Sequence, residues 1–140
     1  REKLKNVKWP GRMEILDNNP LTILDACINK ESASLVLDVL KEMKISKMTA
    51  IVGIPDDKDF LGVVTTISPF SSKVILTKSS NKHYIFTKKQ TQILEENGYP
   101  NICFKELPDA LACAKKEKLP ILILGTTSLI ADVEKRYHQL

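Results

Sequence analysis

Neither of the glycine-rich phosphate loops, GxxxxGK[ST] or GxGxxG, occurs in this chain, and only five glycines are spread over its 140 residues. Single glycines after strands, Gly53 and Gly125, are too few to cradle a nucleotide's phosphates unaided. Long apolar runs are missing as well. No stretch approaches the ~18 residues that span a bilayer, and none has the pattern of a secretory leader. The expectation is a cytoplasmic protein with no membrane partner. Histidine and cysteine are also scarce: His83 and His138 are far apart, and Cys27, Cys103 and Cys113 have no CxxC or other metal spacing. Metal ligation is therefore not expected, and the thiols read as reduced core residues. Aromatic residues make up 6% of the chain, with no basic-aromatic interleaving for base stacking.

The formal charge of +4 is unevenly placed. The first eight residues, REKLKNVK, hold four basic groups and one acid, and the remaining 17 basic and 16 acidic residues nearly cancel. A basic lead on a near-neutral body reads as a solvated linker, not a nucleic-acid surface. The chain starts at Arg1 without methionine. That suggests a segment of something longer, or a processed chain.

What is present is a regular alternation. MEIL (13–16) and LTIL (21–24) flank the turn signal DNNP and read as a hairpin. Ala33, Val36, Leu37, Leu40 and Met43 recur at helical spacing, with Asn29 or Ser32 as the cap. MTAIVGI (48–54), VILT (74–77), NICF (101–104) and ILILGT (121–126) are apolar strands. Helices are expected over 60–67, 87–97, 108–118 and 128–138, with Gly98 and Pro108 as stop and start signals. The order predicts an α/β, Rossmann-like fold. Its mainly parallel sheet has about six strands, an antiparallel N-terminal hairpin strand and helices on both faces.

In such a sheet, ligands bind at the carboxyl ends of the strands. Those ends carry DACINK, GIPDDKD, TKSSNK and GTTS. Asp25 can accept ribose hydroxyls, or it can form an Asx-turn or help to cap the next helix. Arg12, after the Pro10–Gly11 bend, can clamp phosphate or form a surface ion pair. Asp56, Asp57 and Asp59 around Lys58 admit magnesium, or Asp57 or Asp59 can complement the N-terminus of the next helix. Ser128 is placed to cap the last helix, and no base is evident to make it a nucleophile.

WPGRMEILDNNPLTILDACINKESA, followed by GIPDDKDF, VILTKSSNKH and ILILGTTSLIADV, resembles the C-terminal domain of folylpolyglutamate synthase and dihydrofolate synthase in the Mur ligase superfamily. The matches occur in the family's order and cover nearly all of the chain. The resemblance implies a linker remnant over 1–8 and a Mur ligase-type glutamate ligase domain over 9–140. It implies an ATP-dependent ligase that adds glutamate to folate or dihydropteroate through an acyl phosphate. ATP and Mg2+ would be held mainly by a central P-loop domain of the same longer chain. Position by position it implies Arg12 on the ATP phosphates, Asp25 and Asn29 toward the nucleotide, and the Lys58 loop at the interdomain cleft. Ser128 would lie near the incoming glutamate. The chain departs from the family's D-G-A-H-N-P at Asp25-Ala26-Cys27-Ile28-Asn29-Lys30, where Ile28 replaces a histidine. It departs again where His83 or Tyr84 stands in place of an arginine. Those departures keep two other expectations alongside the ligase: a degenerate, non-catalytic domain of this type, and a free-standing α/β binding module.

Overall fold

The computed structural model describes residues 11–87, 89–99 and 102–138. The basic lead 1–8 and the Trp9–Pro10 half of WPGR lie outside the described residues.

Strands β1 (Glu14–Asn18) and β2 (Leu21–Ala26) form the antiparallel hairpin. Helix α1 (Lys30–Glu42) follows, then β3 (Met48–Gly53), α2 (Phe60–Ile67) and, after a 3-10 turn at Ser68–Phe70, β4 (Ser71–Leu76). Helix α3 (Lys89–Glu96), β5 (Ile102–Phe104), α4 (Leu107–Lys116), β6 (Ile121–Gly125) and α5 (Thr127–His138) complete the order. The sheet runs β1-β2-β6-β3-β4-β5, and every pairing except β1–β2 is parallel.

The composition of each strand follows from its place. β3 (MTAIVG) and β6 (ILILG) are buried along their whole length, because helices cover both faces of the sheet centre. Successive residues therefore feed different layers. Ala50, Val52, Leu122 and Leu124 pack with α1, α2 and Leu94 of α3 on one face. Ile51, Ile75, Ile121 and Ile123 pack with α4 and α5 on the other. In α1 the residues Ala33, Val36, Leu37 and Leu40 form the stripe that meets the first layer.

Element type agrees with the sequence reading throughout, and the differences are at ends. β1 starts at Glu14 because Met13 has a left-handed φ of 47°. β4 starts at Ser71, since parallel pairing with Met48 extends it backwards. α3 starts at Lys89 because Thr87 is held instead by Asp56, which accepts its N–H (3.2 Å) and its hydroxyl (2.8 Å). α5 starts at Thr127, so Thr126 is the cap, its Oγ1 accepting the Leu129 N–H at 3.4 Å. This corrects the expectation that Ser128 caps α5.

Candidate functional site

Chain connections leaving β2 and β3 run to α1 and α2 on one face, while the connection leaving β6 between them runs to α5 on the other. A crevice at the carboxyl ends of these three strands follows from that divergence. Ala26, Gly125 and Gly53 stand level there. The two glycines let α5 come close. A Cβ on Gly125 would lie 2.5 Å from the Gly53 carbonyl oxygen and 2.5 Å from Leu129 Cδ2. Their role is helix–sheet packing, which leaves phosphate cradling to other elements.

Asp25 occupies the last inward position of β2 and is 6% exposed. Its Oδ2 accepts the Met13 N–H at 2.9 Å, while the Ala26 N–H donates to the Gly11 carbonyl at 2.6 Å. The segment before β1 is thus tied to the end of β2, with Arg12 projecting between two residues of positive φ, Gly11 (72°) and Met13 (47°). Met13 pays for a conformation that L-residues avoid, and the Asp25 carboxylate helps hold it there. Asp25 is neither a local turn former nor the α1 cap. Burial raises its pKa above the ordinary value of 3.8, against the lowering effects of the Met13 hydrogen bond and the Arg12 charge.

The turn after β2 caps α1. Asn29 Oδ1 accepts the Ser32 N–H at 2.8 Å, and Ser32 Oγ accepts the Asn29 N–H at 3.2 Å, a reciprocal capping box. The acceptor of Asn29 is therefore committed, and its amide NH2 is the group that remains to meet a ligand. Ile28, 37% exposed, faces solvent between the two. Cys27 is fully buried and accepts the Ser32 hydroxyl at 3.4 Å. Burial pushes its thiol up to about 11, so it is protonated near neutral pH and unsuited to nucleophilic attack.

In the loop after β3 the acids divide their work. Asp59 caps α2 through Oδ1, which accepts the Gly62 N–H at 3.0 Å. Its Oδ2 accepts the Lys30 N–H of α1, also at 3.0 Å. One carboxylate thus serves the N-termini of both helices, whose partial positive charge it complements. Asp56 takes Thr87 and the Gln90 amide (2.7 Å). Asp57 and Lys58 remain exposed. Among the described residues no three His, Cys, Asp or Glu side chains are grouped to hold a metal ion.

The loop after β4 is stapled to α5. Ser80 donates its N–H (2.6 Å) and its hydroxyl (2.8 Å) to Asp132, and Asn81 Nδ2 donates to Ser128 Oγ at 3.0 Å. Asn81 Oδ1 also accepts the His83 N–H at 2.9 Å, so Asn81 links Ser128 to His83, whose side chain is exposed. The structure joins Arg12 to Asp25 through Met13, Asn29 to the Lys58 loop through Asp59, and Ser128 to His83 through Asn81. The Lys58 loop also meets the loop after β4, where the Asp56 N–H donates to the Ile85 carbonyl at 2.7 Å. Asn81 and Asp132 are the positioning residues absent from the sequence reading, which offers Asp59 for the α2 N-terminus but not for its bond to Lys30.

The fold and the strand-end crevice define an α/β domain of doubly wound type, and comparison narrows the class. No family model matches the chain. Its curated relatives include the dihydrofolate synthase/folylpolyglutamate synthase of Buchnera aphidicola, 28% identical over 94% of this chain and 33% of that protein. They also include the folylpolyglutamate synthase of Lacticaseibacillus casei, 26% identical over 96% of this chain and 31% of that one. Among solved structures, Mycobacterium tuberculosis folylpolyglutamate synthase complexed with ADP and AMPPCP superposes with a TM-score of 0.84 at 19% identity, covering 94% of this chain and 33% of that one. Helicobacter pylori folylpolyglutamate synthetase gives 0.72 at 26% identity, covering 100% and 35%. The chain is similar to folylpolyglutamate synthases and spans about a third of the length of these relatives.

Proposed function

We propose that this chain is the C-terminal domain of an ATP-dependent acid–amino-acid ligase of the folylpolyglutamate synthase type. The observation that carries the reading is the Arg12–Met13–Asp25 arrangement: a buried carboxylate at a strand end, bonded to the backbone beside an exposed arginine. In this reading Asp25 accepts ribose hydroxyls with its second oxygen, and Arg12 meets the nucleotide phosphates. The Asn29 amide and Lys58 flank them. Ser128, Ile28 and His83 face the acid and amine substrates. The residues present fit the sugar and one edge of the phosphates. They do not fit Mg2+, which falls to a P-loop domain elsewhere in the longer chain. ATP supplies the phosphoryl group that activates the carboxylate of a folate or pteroate, and the amine of glutamate displaces it. Arg12 stabilises charge that develops during that transfer, and closure of the domain over the cleft keeps water from the activated acid. Reduced thiols fit a cytoplasmic setting.

The test uses the protein encoded by the complete reading frame. Arg12→Ala is expected to lower kcat for glutamate-dependent ATP hydrolysis by roughly 10²–10³, the usual loss for one stabilising donor. An unchanged rate overturns the assignment. Ile28 favours a second reading, a degenerate site, because an exposed isoleucine offers no hydrogen bond where the resemblance places a histidine. A large gain in ligation by Ile28→His supports degeneracy; loss of activity supports a native site built around isoleucine.

A further inference from the structure

A second divergence lies on the same edge of the sheet. The chain leaves β4 toward α3 and leaves β5 toward α4, on opposite faces, and a cleft of about 420 Å³ opens between the loop after β4, the start of α4 and one side of α5. We propose that this cleft binds the oxyanion group, phosphate or carboxylate, of a small molecule. The proposal stands apart from the nucleotide reading, which concerns the β2–β6–β3 crevice.

Three observations converge on it. The ten-residue helix α4 begins in the cleft with no side-chain cap: the Glu106 carboxylate lies 3.3 Å from Lys78 Nζ instead of bonding the first turn. Pro108 has no N–H, so the N–H groups of Leu107 and Asp109 are the ones open to an external acceptor at the positive end of the helix. Ser79, in the cleft wall, is only 6% exposed, and its hydroxyl has no hydrogen-bond partner. A buried hydroxyl without a partner is the kind of group that a ligand satisfies. Lys135 and Arg136 of α5 line the opposite wall, and neither forms an ion pair among the described residues. Of the two acids in the cleft wall, Asp132 is already accepting two hydrogen bonds from Ser80, and Glu106 is paired with Lys78. The Lys78–Glu106 pair is exposed and weak, so Lys78 can turn to an arriving anion.

The experiment follows backbone amide shifts of the 140-residue chain while inorganic phosphate and, separately, glutarate are added at constant ionic strength, which holds general charge screening fixed. Saturable shifts are expected at Ser79, Ser80, Leu107 and Asp109. Saturation by phosphate alone identifies a phosphorylated ligand, by glutarate alone a carboxylate, and either supports the proposal. The double substitution Lys135→Ala/Arg136→Ala should weaken binding about tenfold, and Ser79→Ala several-fold, as expected on losing charge-assisted contacts and a buried hydroxyl contact. The same spectra report whether each variant is folded. No saturation with either probe, or affinities unchanged in both variants, overturns it.

Discussion

Asp25 is held at a cost that its backbone contact does not offset. Its pKa is raised in the folded state, so the stabilising contribution from protonation is fully present below pH 3.8, the ordinary value, and is lost as pH rises through the raised folded value. At neutral pH the ionised form opposes folding. Asp25→Asn keeps an oxygen to accept the Met13 N–H and removes the charge. It is expected to raise the melting temperature by a few degrees at pH 7 and to leave it unchanged near pH 3, as thermal unfolding at both pH values will show. Lower nucleotide affinity in the same variant would mark a residue kept for binding and not for stability. Little of this was legible beforehand. Asp25 stands out in LDACINKESA, but its partner is twelve residues upstream, in a backbone turn that no periodicity announces. Asn81 and Asp132 were illegible for the same reason, since their bonds span 47 and 52 residues; of Asp59 the local cap of α2 was legible, and the bond to Lys30, 29 residues away, was not.

Elements were far more legible, because hydrophobic period and local capping act over a few residues. Every strand and helix expected from pattern is present, and errors gather where a distant partner takes over an end, as Asp56 does with Thr87. Gly62 shows the same override. Within a helix a glycine is ordinarily replaced by alanine with a gain of about 0.5–1 kcal/mol. In α2 a Cβ on Gly62 would collide with the Asp59 carboxylate that caps α2 and accepts the Lys30 N–H of α1. Gly62→Ala is therefore expected to destabilise the fold by about 1 kcal/mol or more, the usual scale for a lost cap, measured by denaturant unfolding.

At the scale of the whole molecule, the edge of the sheet carries the polar groups proposed for recognition and, among the described residues, lacks what phosphoryl transfer requires. There is no phosphate loop, and among the described residues no carboxylate cluster for a metal. The 140-residue chain alone is expected to release no phosphate from MgATP above background, measured by inorganic phosphate production, with or without folate and glutamate. Turnover by this chain alone would contradict the division of labour proposed for it.

The two-headed bond of Asp59 has a further consequence for what this sequence can tolerate. Asparagine and aspartate are near-equivalent helix caps, yet the two oxygens of Asp59 accept from two different helices. An amide presents one acceptor and, in place of the second oxygen, an NH2 that points at another N–H. The position thus depends on the twofold symmetry of a carboxylate, and a change of a single atom would remove the hydrogen bond that ties the start of α1 to the loop that carries Lys58.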